Sequence, residues 1–265
     1  MDSLRLDTYA HLDSPLHQWD MRYKLIGLFS LIFAFSFVQE LPLLPLLIIL
    51  TLLLFLLSRL PLKFLLTRLQ YPGVFLLAVA ILLPLFSGST ILVELGPLAI
   101  HKEGLLDFLI ITVKFVCILT VGLVLFGSAP FLTSIKAMRA LWLPPILADM
   151  MLLTYHYLFE IGHDLKRMEI AMRMRNFRAS RPTWRGIKIL ASLVGTLFVR
   201  SYERSEKIYK AMILRGYGQK KTNGNPAKAI FNAQQKDVIL LATTLIITMV
   251  IIGAELIIRK KSPLL

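Results

Sequence analysis

Apolar runs separated by short polar connections make up most of this chain. The two-residue break at Gln39 and Glu40 indicates that the first two runs form a helical hairpin. The last run is long enough to cross a hydrocarbon core about 30 Å thick at 1.5 Å per helical residue. The pattern predicts an all-α integral membrane protein with about five transmembrane helices, at residues 25–38, 41–57, 74–86, 105–126 and 238–258.

Composition supports the membrane class and limits the alternatives. Hydrophobic residues make up 56% of the chain, and the mean hydropathy is +0.69. The net charge is +14, but the cations cluster between and after the apolar runs, as expected of loops on the cytoplasmic side of a membrane. The one cysteine, Cys117, lies within an apolar run, which excludes a disulfide framework and a thiolate metal cluster.

The distribution of cations also predicts topology. It places residues 1–21, the loop at 59–68 and everything after Phe126 in the cytoplasm, and it places Glu94 and Lys102 outside. The N-terminal segment lacks the pattern of a cleaved signal peptide, so we expect it to remain on the mature protein. The last span then ends outside, where the cations of residues 259–261 are disfavoured.

A further crossing between residues 146 and 199 would remove that conflict. Its two candidate segments, 146–159 and 187–199, are shorter than the roughly 17 residues that a crossing needs. We therefore expect these segments to lie along the membrane surface or beneath the bundle.

The cation-rich stretch at 160–221 predicts amphipathic helices. In the later helix, polar and charged positions alternate with apolar ones at helical spacing. Glu203 with Lys207 and Glu206 with Lys210 are predicted to form favoured i,i+4 pairs. We expect four regions: a cytoplasmic N-terminal segment at 1–21, a four-helix transmembrane part at 22–130, a cytoplasmic coupling-helix region at 131–221, and a linker with a final transmembrane helix at 222–265.

One phrase occurs twice in this stretch. Residues 171–177 read AMRMRNF and residues 211–217 read AMILRGY, so each copy places an arginine, a small turn-forming residue and an aromatic after Ala-Met. A small residue there predicts a left-handed helix end, and an arginine just before it suits the negative end of the helix dipole. Each copy is predicted to be a helix end that presents a cation, with the key positions Ala171, Arg175, Asn176, Ala211, Arg215 and Gly216.

The chain resembles a known family at several motifs. Residues 12–17 (LDSPLH) and 20–25 (DMRYKL) are similar to the entry signature of the transmembrane T component of energy-coupling factor (ECF) transporters, especially the cobalt/nickel branch. Residues 198–206 (FVRSYERSE) and the two arginine-bearing helix ends resemble the coupling helices of the same family. The resemblance covers nearly the whole chain and implies a bacterial or archaeal cell-membrane protein.

The resemblance also implies a mechanism. The T component couples two ATP-binding cassette ATPase subunits to a small substrate-binding membrane subunit, and Arg175 and Arg215 would dock in grooves on the two ATPases. The chain itself would bind no cofactor, and ATP would be used by the partner subunits. The family pattern has glycine after both arginines, whereas this chain has Asn176 in the first copy. Asparagine tolerates the left-handed conformation better than other non-glycine residues, so we expect the turn to survive.

Other interpretations remain open. The two arginines could merely cap their helices or contact lipid phosphates. A stand-alone secondary carrier or channel with a basic cytoplasmic face is the alternative function, although such carriers usually contain inverted membrane repeats. Nucleic-acid binding through the arginines at 178, 181 and 185 lacks interleaved aromatics and a recognisable module.

Candidate chemistry is sparse. His156, Glu160 and His163 share a helical face and could offer ligands to a transition metal, but histidines near a membrane surface more often bond to backbone or water. Asp149 lies in an apolar stretch, where an ionisable group suggests a functional site, although pairing with a nearby cation is the simpler explanation. Phosphate-loop, nucleophile-elbow and zinc-protease motifs are absent from the sequence, so we expect a non-catalytic subunit.

Overall fold

The computed structural model describes residues 14–86, 91–95, 98–175, 184–218 and 234–261. A 3₁₀ turn, Leu41–Leu43, leads into the third helix. The helices in chain order are α1 (Pro15–Gln18), α2 (Met21–Phe37), α3 (Leu44–Ser58), α4 (Leu62–Phe86), α5 (Lys102–Gly127), α6 (Phe131–Leu141), α7 (Pro145–Met174), α8 (Trp184–Leu214) and α9 (Gln235–Lys261).

The predicted all-α membrane class is confirmed. Within the described residues, three segments are long and apolar enough to cross a membrane: Leu41–Ser58, Gly104–Gly127 and Gln235–Lys260. They coincide with three of the five predicted spans, and the total of about five stays a prediction. The apolar pattern did not reveal a short antiparallel hairpin between α4 and α5, formed by β1 (Ile91–Leu95) and β2 (Leu98–His101).

The chain divides into two compact units. The first comprises Met1–Trp142 together with Ala227–Leu265, and the second comprises Leu143–Pro226. Helix α6 belongs to the first unit, whereas the sequence-based division began the coupling region at residue 131. The assignment of these regions to membrane and cytoplasm stays a prediction.

Close helix packing organises the first unit. Helix α2 contacts α9, α5 and α6, and its buried face includes Leu28 and Phe35. At the contact with α9, a Cβ built on Gly27 would lie 2.7 Å from Thr244 Oγ1. Small residues permit such close approach, which drives helix association in membranes because lipid offers no hydrophobic gain. The absence of a side chain at Gly27 therefore allows the α2–α9 contact.

Residues of the N-terminal signature fasten the start of α2. The Asp20 carboxylate caps the helix by accepting from the Arg22 backbone N–H at 2.9 Å, and it also pairs with the Arg22 guanidinium at 2.8 Å. The Asp20 backbone N–H donates to Asp237 Oδ1 at 3.2 Å, and Trp19 Nε1 donates to the Asp237 carbonyl at 3.3 Å. The signature thus caps α2 and connects it to the first turn of α9.

The other end of α2 is held by two ionisable side chains from neighbouring helices. Lys114 of α5 donates from Nζ to the Ser36 carbonyl at 2.7 Å, and the Gln39 backbone N–H donates to Glu255 Oε1 of α9 at 2.9 Å. Carbonyls in the last turn of a helix and the N–H groups that follow it need partners that lipid cannot supply. These contacts give Lys114 and Glu255 a structural role within apolar helices.

Candidate functional site

The second copy of the repeated phrase forms a complete helix-ending turn. Helix α8 ends at Leu214, and Gly216 has φ of 78°, which confirms the predicted left-handed conformation. The Tyr217 N–H donates to the Met212 carbonyl and the Gly216 N–H donates to the Ile213 carbonyl, both at 2.9 Å. This pair of bonds is the Schellman motif, which satisfies the last carbonyls of the helix. Arg215 is therefore placed at a well-defined position.

The first copy begins its turn in the same way. Helix α7 ends at Met174, and the Arg175 N–H donates to the carbonyls of Ala171 at 3.3 Å and Met172 at 3.1 Å. In the second copy the Arg215 N–H bonds to the equivalent carbonyls of Ala211 and Met212 at 3.2 and 3.1 Å. Asn176 lies outside the described residues. The two copies thus share their geometry up to the arginine.

Both arginines face solvent. Arg175 and Arg215 are exposed, as are the alanines four residues before them. Neither guanidinium forms an ion pair or a side-chain hydrogen bond with the part of the chain that the structure describes. A guanidinium offers five donors in a planar fork and sheds water more easily than an ammonium, which suits bidentate contact with a carboxylate. Each exposed guanidinium thus has the chemistry needed to engage an acidic partner.

The helices that carry these ends are longer than the amphipathic segments suggested. The apolar segment 146–159 is continuous with the rest of α7, and 187–199 is continuous with the rest of α8. Of the two predicted i,i+4 pairs, the one between Glu206 and Lys210 is present at 2.8 Å, whereas Glu203 and Lys207 form no ion pair within the described part of α8. Each arginine therefore terminates a helix of 30 or 31 residues, which fixes it to a rigid support.

Two contacts between α7 and the segment 204–217 escaped the sequence analysis. Arg204 bridges Asp164 at 3.1 Å and Glu160 at 3.4 Å. The Tyr217 hydroxyl donates to Asp149 Oδ2 at 3.2 Å, so the ionisable residue in the apolar stretch contacts the second motif. The available signal for the first contact was the opposite charge of Asp164 and Arg204, which stand at the same distance before the two copies.

An apolar groove of about 580 Å³ separates α7 from α8 beside these contacts. Its walls are mainly aliphatic and aromatic side chains, and Arg204 and Tyr217 also line it. Because a groove intervenes, apolar side chains do not interlock along this part of the two helices. The polar contacts therefore contribute strongly to their relative placement.

Two of the three candidate metal ligands have other contacts. Glu160 is engaged by Arg204, and the His156 ring packs edge-on against Tyr157 with centroids 5.2 Å apart. Among the described residues, no three histidine, cysteine, aspartate or glutamate side chains come together as a metal site would require. Glu160 thus takes part in the contact between α7 and α8.

Together, the fold and the site define a multi-pass helical membrane protein that presents two matched, arginine-ended helices. The family model described as "Cobalt transport protein" (CbiQ) matches residues 13–225. The energy-coupling factor transporter transmembrane protein EcfT of Bacillus selenitireducens is 27% identical over 229 residues, covering 82% of this chain and 84% of the relative. EcfT of Listeria innocua is 28% identical over 228 residues, covering 82% and 86%.

The chain belongs to the CbiQ cobalt transport protein family and is a T component of the energy-coupling factor type. The match begins within the N-terminal signature and ends after the second arginine motif. It therefore spans both units and includes every residue of the candidate site.

Proposed function

We propose that this chain is the coupling subunit of an ATP-driven importer. Arg175 and Arg215 dock on two ATP-binding cassette ATPase subunits, and the chain transmits their motion to a separate, small substrate-binding membrane subunit. The chain performs no catalysis, and ATP is hydrolysed by the partners. In this proposal the first unit, which contains the three candidate membrane spans, stays in place while the coupling helices move.

The observation that supports this proposal is the pair of matched helix ends. Each exposes an arginine at the first residue beyond a long helix, and the backbone bonds that place Arg175 and Arg215 are equivalent. Two such ends suit two equivalent ATPases. A lipid-binding surface would not require a defined turn, because headgroup attraction depends on the number of charges near the bilayer.

For the cargo we propose cobalt, with nickel as the alternative. The support is the family description, which concerns cobalt transport. In the proposed arrangement the ion is captured by the separate membrane subunit, and this chain supplies no ligands. Uptake of cobalt and nickel by the reconstituted complex, measured by elemental analysis of vesicles, distinguishes the two cargoes.

Co-purification of the ATPases tests the docking role. Arg175→Ala and Arg215→Ala should each lower the recovery of ATPase with the tagged chain, because truncating a paired, desolvated arginine costs about 2–5 kcal/mol. The double variant should lose most of it. Lys207→Ala, an exposed cation on α8, is the matched control and should leave recovery unchanged.

The same variants address the lipid alternative. Loss of headgroup attraction should cost about 1 kcal/mol for any exposed cation. Equal, small losses for Arg175→Ala, Arg215→Ala and Lys207→Ala would contradict the docking proposal. All variants should be compared at equal amounts of membrane-inserted chain.

A further inference from the structure

The ion pair between α7 and α8 joins two residues that lie at the same distance before the two copies of the repeated phrase. Asp164 and Arg204 are 40 residues apart, the same offset that separates Arg175 from Arg215. Their side chains meet at 3.1 Å. The two helices thus contact each other, through opposite charges, seven residues before each copy of the phrase.

This contact stands at the same distance along each helix from the motif arginine. Eleven residues separate Asp164 from Arg175, and eleven separate Arg204 from Arg215. Both intervals are uninterrupted helix up to the last residue before the arginine. At 1.5 Å per residue each interval is about 16 Å long. The segment from the contact to the arginine therefore has the same length on both helices, and the segment on α8 is also joined to α7 near its end through Tyr217 and Asp149.

Glu160 makes the contact directional. Arg204 reaches Asp164 through Nη2 and Glu160 through Nη1, and the two carboxylates are one helical turn apart on α7. The hydrogen bond to Asp164 and the ion pair with Glu160 draw the guanidinium to one face of α7. The groove beside this contact leaves few apolar contacts that could set the crossing of the helices instead.

We propose that the cluster of Arg204, Asp164 and Glu160 is a positioning element that sets the separation of Arg175 and Arg215. This inference rests on the proposed function, and it specifies that the partner is a pair of ATPases whose docking grooves have a matching separation. Because both arginines stand at the ends of these helices, a change in the crossing of the helices at this cluster changes the distance between Arg175 and Arg215. The cluster thus links the two docking sites mechanically.

A distance measurement on the full-length chain tests the geometry. Spin labels at Met174→Cys and Leu214→Cys occupy equivalent positions that are 84% and 88% exposed, and Cys117→Ala removes the native thiol. In lipid nanodiscs, double electron–electron resonance should give one narrow distance distribution for this background. Arg204→Glu should broaden or shift the distribution by several ångströms, and the milder Arg204→Gln should broaden it less.

Exchanging the charges of Asp164 and Arg204 should rescue the distance between the two helix ends. Adding Asp164→Arg to Arg204→Glu restores an opposite-charge pair, and the new arginine lies four residues after Glu160, which favours it. The swap should restore the narrow distribution. Lys210→Glu is the matched control, because its partner Glu206 lies on the same helix, and it should leave the distance unchanged. A wild-type distribution for Arg204→Glu would overturn the inference.

Recovery of ATPases with the same variants separates this inference from the function on which it rests. Arg204→Glu should lower recovery by about fivefold or more, within the usual range of coupling between sites, and the swap should restore it. A changed distance with unchanged ATPase recovery would overturn the positioning role alone. Unchanged recovery for the variants of Arg175 and Arg215 themselves would overturn the proposed function, while the distance data would still judge the geometry.

Discussion

Lys24 donates a 2.7 Å hydrogen bond from its ammonium group to the main-chain carbonyl of Leu16. The lysine side chain is fully buried in the first turn of α2, and Nζ also lies 3.5 Å from the carbonyl of Ser128, just after α5. One cation thereby joins α1, α2 and the end of α5. The N-terminal signature therefore includes a residue that holds the helices of the first unit together.

Lys24→Met should destabilise the protein. The substitution keeps the apolar stem but removes the donor, and leaving buried carbonyls without a partner costs about 1–3 kcal/mol. We expect a lower midpoint of thermal unfolding for the detergent-purified chain, measured by fluorescence-detected gel filtration. Lys63→Met, an exposed change, is the control. Equal midpoints for the two variants would show that the buried bond contributes nothing.

Gly27→Ala should weaken the contact between α2 and α9. The added methyl group would lie 2.7 Å from Thr244 Oγ1 and 3.2 Å from the Trp19 ring, so either these side chains or the helices that carry them must shift. Such overpacking typically costs about 1–3 kcal/mol. The midpoint of thermal unfolding is measured for Gly27→Ala and for the double variant Gly27→Ala/Thr244→Ala. The second substitution removes the nearest atom, Thr244 Oγ1.

The double variant should recover part of the lost stability. Gly253→Ala on α9 serves as the control, because a Cβ there would meet nothing within 4 Å. A similar loss of thermal stability for Gly27→Ala and Gly253→Ala would show that the loss comes from replacing a helical glycine and not from the contact between α2 and α9.

Gly216→Val should impair docking at the second motif. A β-branched residue resists the φ of 78° found at this position, and such backbone strain costs of the order of 1–3 kcal/mol. Relief of the strain would unwind the turn that places Arg215. We expect reduced co-purification of ATPase, normalised to folded chain.

Gly195→Val is the matched control for that substitution. It introduces the same side chain within α8, at a position with ordinary helical backbone and open space around the Cβ. Wild-type recovery of ATPase by Gly216→Val would show that this turn does not position Arg215.

Asn176→Gly should preserve assembly and transport. Glycine adopts the left-handed conformation at no steric cost, so the first motif would acquire the same residue as the second. Asn176→Val is the contrasting variant and should lower ATPase recovery. A loss of recovery with Asn176→Gly would instead mean that the asparagine side chain itself contributes to docking.

The topology prediction can be tested by labelling. Lys102→Cys in a Cys117→Ala background should react with an impermeant maleimide in intact cells, because the charge pattern places the β-hairpin end of α5 outside. Lys63→Cys should react only after the membrane is permeabilised. The opposite pattern of labelling would invert the orientation of the whole membrane part.

The sequence analysis succeeded where structure follows from local pattern. Hydropathy and run length were sufficient for the helical membrane class, and the glycine after Arg215 was sufficient for its left-handed turn. It underestimated α7 and α8, because a change from apolar to basic composition within one helix looks like a boundary. It also missed the β-hairpin between α4 and α5, which is too short to carry a strong periodic signal.

The sequence by itself determined those features that depend on a few neighbouring residues. These are the apolar runs, which must be helical in lipid, and the helix ends, whose backbone conformation depends on one residue. Only the tertiary structure decided the partners of the ionisable residues. Arg204 meets Asp164, Lys114 meets Ser36, and Glu255 meets Gln39 across 40, 78 and 216 residues of chain. Each charge could have paired elsewhere, and the choice depends on how the helices pack, because a buried polar group must find its partner in whichever helix lies beside it.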